Sequence, residues 1–186
     1  MTIPNLLTIL RILLTPLLVY LLLDNRLNEA LVVFFIAGMT DGLDGLIARV
    51  FNQKSKLGAY LDPLADKLLL VTSFIMLATL DLVPAWLVII TVSRDVIIIL
   101  GLAALMFHDV PVKIRPSALS KATTLMQLLT VLSTMGSAFI LLPRWTYSAL
   151  FFTTALFTIA SGAHYIMAGV SLFEEERRAE KREERR

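Results

Sequence analysis

Cysteine is absent from all 186 residues, which excludes a disulfide framework and any thiolate-bound metal. Charge is scarce through most of the chain. Nine of the 15 acidic residues precede Glu174 and the other six crowd into the last 13 positions, so the body is less charged than the 17% total implies. A net charge of +2, without basic stripes interleaved with aromatics, argues against a nucleic-acid partner. No basic n-region or Ala-x-Ala cleavage pattern frames the first apolar run, which also carries Arg11 in its middle, so it reads as a retained helix rather than a signal peptide. Gly/Ser linkers and internal repeats are also missing. What fills the chain instead is apolar: 57% hydrophobic residues and a mean hydropathy of +0.77, above the roughly half apolar content of soluble domains. These values predict an all-α, polytopic membrane protein.

Six apolar segments stand out, at about 5–23, 31–50, 59–80, 84–107, 117–142 and 145–173. Each is near the ~20 residues needed to cross a hydrocarbon core of roughly 30 Å. Residues 1–173 are thus expected to form one membrane domain of six transmembrane helices, followed by a charged cytoplasmic tail, 174–186. Arg49, Lys54, Lys56, Lys113, Arg115, Lys121 and the tail's six basic residues fall at one set of helix ends, whereas the opposite loops hold only Arg26 and Arg144. The positive-inside rule makes the basic side cytoplasmic, with both termini there. The mixed Glu/Arg tail reads as a solvated continuation of the last helix, supported by pairs three and four apart.

Four aspartates are the most informative residues. Asp41 and Asp44 lie three apart near the end of the second segment, and Asp62 and Asp66 four apart at the start of the third. Both spacings put the acids on one helical face, and a short connection predicts a hairpin with the two pairs facing each other. Ionisable groups at a bilayer are functional-site candidates by default. Several carboxylates in one pocket cannot all stay ionised without a compensating cation. Oxygen-only ligands suit Mg²⁺, Mn²⁺ or Ca²⁺, and four are enough for two ions in phosphoryl chemistry. Gly42, Gly45 and Ala48 leave room beside the acids, Gly58 is expected to relax the turn into the third helix, and Arg49 offers a fork for phosphate oxygens. A cation-coupled transporter, with the acids as a proton or ion pathway, is the non-enzyme alternative.

The pattern Asp41, Asp44, Gly45, Ala48, Arg49, Gly58, Asp62 and Asp66 resembles the signature of the CDP-alcohol phosphatidyltransferases, with all eight positions at intact spacing. The resemblance implies attack of a hydroxyl on the β-phosphorus of CDP-diacylglycerol with loss of CMP. It also implies a Mg²⁺ requirement (two ions, with Mn²⁺ possible), a site open to the cytoplasmic leaflet of the cell (inner) membrane, and a homodimer. Carried over by position, Asp41, Asp44, Asp62 and Asp66 are metal-site residues, with Asp66 also the general base. Gly45, Arg49 and Ser55 match CDP-binding positions, and Gly58 belongs to the same signature.

The acceptor must be sought elsewhere in the chain. The opening Ile3-Pro4-Asn5-Leu-Leu-Thr8-Ile-Leu-Arg11 resembles phosphatidylglycerophosphate synthases and their cardiolipin-synthase relatives, with Asn5 and Thr8 capping the first helix or reaching toward the nucleotide. Ser93-Arg94-Asp95 places an arginine inside a span, either for phosphate or for pairing with Asp95 or an active-site aspartate. Ser120-Lys121-Ala-Thr-Thr124-Leu-Met-Gln127 is similar to a stretch of glycerophosphate-using members and is expected to face the bundle interior. Arg94, Arg115 and Lys121 would then hold the phosphate of sn-glycerol 3-phosphate, the first expectation. Ser120 and the Ser-Arg-Asp sequence are also like cardiolipin synthases, which makes phosphatidylglycerol the alternative acceptor. His164, alone among apolar neighbours, is expected to be a buried hydrogen-bonder.

Overall fold

The computed structural model describes residues 3–50, 56–107, 117–139 and 142–183, with side chains for all of these except 3–5, 41–50, 56–60, 63, 102, 106–107, 138 and 174–183. The apolar segments become six α-helices: α1 (Ile3–Leu23), α2 (Leu27–Val50), α3 (Lys56–Thr79), α4 (Ala85–Phe107), α5 (Ala118–Met135) and α6 (Arg144–Glu183). No strand occurs among the described residues. Among the described residues, three helices are long and apolar enough to cross a membrane, over Leu6–Leu23, Ala85–Leu105 and Arg144–Phe173, and Leu27–Thr40 forms a shorter apolar stretch. In α3 the apolar run is broken by Asp62, Asp66 and Lys67, and α5 is studded with hydroxyls.

Local chemistry sets the helix ends. α1 closes with Asn25 in the left-handed region (φ 57°), the Asn25 N–H donating to Leu22 O (3.0 Å) and the Arg26 N–H to Leu21 O (2.8 Å). α3 closes the same way at Asp81 (φ 57°), with Asp81 N–H to Ala78 O (3.1 Å) and Leu82 N–H to Leu77 O (2.9 Å). Both are Schellman closures, which use up the last carbonyls of a helix. Ser117 caps α5 by accepting the Ser120 N–H (3.1 Å). Just outside α2, Arg26 pairs with Glu29 at 3.0 Å. Glu29's carboxyl lies below its ordinary value, first through its own backbone N–H and then through Arg26.

Two expected boundaries differ. α5 stops at Met135, not Leu142, because Gly136 opens a 3₁₀ turn (Gly136–Ala138) and Pro143 follows. Gly58 lies within α3 rather than in a turn before it. The C-terminal charged segment continues α6 as a helix through Glu183.

The helices assemble as two groups of three. α1 packs along both α2 and α3, while α2 and α3 meet at only a few positions. The expected face-to-face hairpin of α2 and α3 is therefore a three-helix unit with α1 against both. In the other unit α6 packs along α4 and α5, and α3 and α2 join the two groups through α4 and α5. Burial divides the bundle across its length. Leu18, Phe34, Phe74, Leu77, Leu87 and Met135 fill a mostly apolar half, whose buried hydroxyls, such as Ser73 and Thr134, bond to carbonyls of their own helices. The opposite half buries polar groups instead: Thr8, Arg11, Arg94, Asp95, Thr123 and Gln127. Buried polar groups are costly unless partnered, so the polar half is where the candidate chemistry lies.

Candidate active site

On α1, Thr8 and Arg11 are three apart, hence on one face, and both are fully buried. That face meets α3 at Asp62 and Asp66, four apart. Thr8 Oγ1 donates to Asp62 Oδ1, and Arg11 Nη1 donates to Asp66 Oδ1. The two contacts form successive rungs between helices that run in the same direction. A buried guanidinium thus compensates one carboxylate of the pair. Arg11 is 0% exposed whereas the Asp66 side chain is 45% exposed, so Asp66 remains accessible from outside while its charge is held from within.

α2 carries Asp41, Asp44, Gly45 and Arg49 within its last three turns as unbroken helix, so each acid pair sits on a single helical stretch as expected. The side chains of Asp41, Asp44 and Arg49 lie outside the described residues, as do the side chain of Asn5 and all of Ser55 and Arg115. Among the described residues, then, the candidates brought together are Thr8, Asp62 and Asp66. Arg11 joins them. Its lone charge in an apolar run was the available signal, but nothing in the sequence pointed to Asp66 as its partner.

Among the described residues the donors are the carboxylates of Asp62 and Asp66, hard oxygen ligands that do not by themselves form a group of three. That chemistry fits a divalent cation of the Mg²⁺ class better than a thiophilic or imidazole-loving metal.

A second polar node lies on α4. Arg94 is 5% exposed and does not stand open for a ligand phosphate: Nη1 donates to Asp95 Oδ1 (2.8 Å), and Nη2 to Ser120 Oγ on α5 (2.9 Å) and Ser161 Oγ on α6 (2.9 Å). Its guanidinium carbon also sits 5.7 Å from the centroid of the Tyr165 ring, within cation–π range. Lys67, which follows Asp66, reaches across from α3 to pair with Asp95.

Of the α5 stripe expected to face inward, Gln127 does so, whereas Lys121 and Thr124 do not. Thr123, Gln127, Thr130 and Thr134 are buried, Thr123 donating to Phe157 O (3.0 Å) and Thr130 bonding Thr154 (2.7 Å). Lys121 and Thr124 are exposed and line an open cleft of about 360 Å³ with Ser120, Leu125 and Leu128. His164 is exposed, not buried, because its position on α6 turns away from the α4 and α5 seams.

Comparison with known proteins extends beyond these residues. The family model described as CDP-alcohol phosphatidyltransferase matches residues 1–163. A cardiolipin synthase (CMP-forming) of Rattus norvegicus is 37% identical over 179 residues, 88% of this chain and 59% of the relative. The Homo sapiens protein of the same name is 35% identical, over 88% and 60% of the two chains. A putative cardiolipin synthase of Mycobacterium tuberculosis is 38% identical over 99 residues, 53% of this chain and 47% of the relative. The chain spans about three-fifths of the length of the first two relatives.

Proposed function

This chain belongs to the CDP-alcohol phosphatidyltransferase family, and we propose that it transfers the phosphatidyl group of CDP-diacylglycerol to a lipid alcohol with release of CMP. The observation that carries this reading is the α1–α3 ladder, in which a buried arginine holds Asp66 beside Asp62 while leaving it accessible. In the proposed reaction the acceptor's primary hydroxyl attacks the β-phosphorus, the bond to the CMP oxygen breaks, and Asp66 takes the hydroxyl proton. Asp41, Asp44, Asp62 and Asp66 would hold divalent metal, two Mg²⁺ ions by the carboxylate count, which supplies charge stabilisation at the phosphoryl oxygens. Thr8 and Arg11 keep Asp62 and Asp66 in register, and Gly45, Arg49, Ser55 and Gly58 form the CDP side.

For the acceptor we favour phosphatidylglycerol over the glycerol 3-phosphate first expected. Relatives named as CMP-forming cardiolipin synthases match nearly nine-tenths of the chain. In addition, Arg94 is committed to Asp95, Ser120 and Ser161, which removes one cation from a small phosphate's shell. Glycerol 3-phosphate remains the second reading on one observation, the exposed Lys121 lining an open cleft. The proposal includes six spans in the cell membrane, residues 1–173 as the membrane domain, a cytoplasmic site and termini, and a homodimer.

CMP release from CDP-diacylglycerol by the purified protein with Mg²⁺ tests it. Release that depends on phosphatidylglycerol supports this reading, and release that depends on glycerol 3-phosphate selects the second. No release with any alcohol, together with cation flux in proteoliposomes, would return the chain to the transporter class.

A further inference from the structure

Lys67 and Asp95 play no part in the chemistry above, yet their pair crosses from the α1–α3 unit to the α4–α6 unit. Asp95 is 6% exposed in its side chain, and the same oxygen, Oδ1, accepts from Lys67 and from Arg94. Arg94 continues the line to Ser120 on α5 and Ser161 on α6, so one chain of contacts ties four helices. Charge balance makes Lys67 the informative member. Arg94 alone neutralises Asp95 within α4, so the buried carboxylate does not need a second cation to be tolerated. Lys67 is a surplus partner, and what its contact adds is a tether on α3.

The position of that tether matters. Successive residues on a helix are rotated by roughly 100°. α3 is therefore held at Asp62 and Asp66 by α1 on one side and at Lys67 by α4 on another. Two anchors at different azimuths fix the rotation of a helix about its axis, which one row of contacts does not.

We propose that Lys67 and Asp95 are positioning residues: their ion pair locks the rotation of α3 and so sets how Asp62 and Asp66 are presented to metal and substrate. This rests on the proposed metal-dependent transfer, so the test carries a readout that does not need turnover. Mn²⁺ binding to the purified protein is titrated by electron paramagnetic resonance, beside kcat and KM for CMP release and the melting temperature in detergent. Lys67→Met, which leaves the Arg94–Asp95 pair intact, is expected to weaken Mn²⁺ binding and lower kcat by about tenfold each, in the range for residues that orient metal ligands. KM for CDP-diacylglycerol should move by less than about twofold, and the melting temperature should hold. Lys67→Arg should recover most of both losses. Asp95→Asn added to Lys67→Met should cost less than Asp95→Asn alone, as for coupled residues.

Wild-type Mn²⁺ affinity and kcat in Lys67→Met, or additive losses in the double variant, would overturn the proposal. So would a loss that follows a fallen melting temperature and is not recovered by Lys67→Arg. If the wild-type protein binds Mn²⁺ but releases no CMP with any alcohol, the functional reading falls, while the Mn²⁺ titration still decides the role of the tether.

Discussion

At the scale of single residues, the roles proposed for the four aspartates can be separated by mutation. Asp66→Asn keeps an oxygen at its position but removes the proposed proton acceptor. Mn²⁺ binding should persist while kcat falls by about 10²- to 10⁴-fold, the usual span for a general base, as single-turnover CMP release would show. Thr8 acts on Asp62 through one hydrogen bond. Thr8→Val keeps its shape and removes the donor, and a hydrogen bond to a charged group contributes about 1.5–3 kcal/mol. Roughly a tenfold or greater loss of kcat is therefore expected, with Thr8→Ser restoring it. Spacing along each helix made the acids legible in the sequence, because three- and four-residue separations translate directly into one face. Arg11 was visible only as an anomaly. Its partner lies 55 positions away, on a helix whose adjacency to α1 no local pattern encodes. Pairing of Arg94 with Asp95 was legible from their adjacency, but the contact of Asp95 with Lys67, on another helix, was opaque for the same reason.

At the scale of elements, the sequence was most informative about where helices exist and least about which faces pair. Hydropathy located all six, yet α5 was overrun by seven residues, from Met135 to Leu142, since the segment stays apolar after Gly136 breaks the helix. The polar periodicity of α5 points inward at Lys121, Thr124 and Gln127, and only Gln127 is buried; the buried row is Thr123, Gln127, Thr130 and Thr134. Every inward row of a helix has a neighbour one residue away, and only the position of α6 decides between them. Inside a membrane such seams rest on close packing and polar contacts rather than on apolar burial. A double-mutant cycle of Thr130→Val and Thr154→Val should give a coupling of about 0.6 kcal/mol, typical of interhelical hydrogen bonds in a bilayer, measured by denaturation in mixed micelles. The two Schellman closures give a sharper contrast. Asn25 holds a positive φ, which a β-branched residue adopts only with strain. Asn25→Val should destabilise by about 1 kcal/mol or more, whereas Asn25→Gly should be neutral or slightly stabilising.

At the scale of the whole molecule, the bundle has an apolar half and a polar half, and the proposed topology turns the polar half toward the cytoplasm. The apolar half is reached first from the loops at Asp24–Arg26 and Leu80–Pro84, and the ladder lies beyond it, toward the start of α1. An even number of spans places the start of α1 and the end of α6 on the same side, whereas a five-span alternative separates them. The missing cysteines make this testable without background. Asn28→Cys and Arg144→Cys sit at ends of α2 and α6 on the proposed outer side, and Gln53→Cys and Glu183→Cys on the proposed inner side. In intact cells a membrane-impermeant maleimide should label only the first pair, and permeabilised cells should label all four. Labelling Arg144→Cys and Asn28→Cys from opposite sides would mean that one of α2 to α5 fails to cross. The candidate is α5, the shortest at 18 residues, which spans about 27 Å at 1.5 Å per residue. That length is just short of a roughly 30 Å core, so α5 crosses only with its ends at the interface. Its exposed Lys121, three residues from the α5 start, then stands where a lysine can extend into the headgroups on the proposed cytoplasmic side.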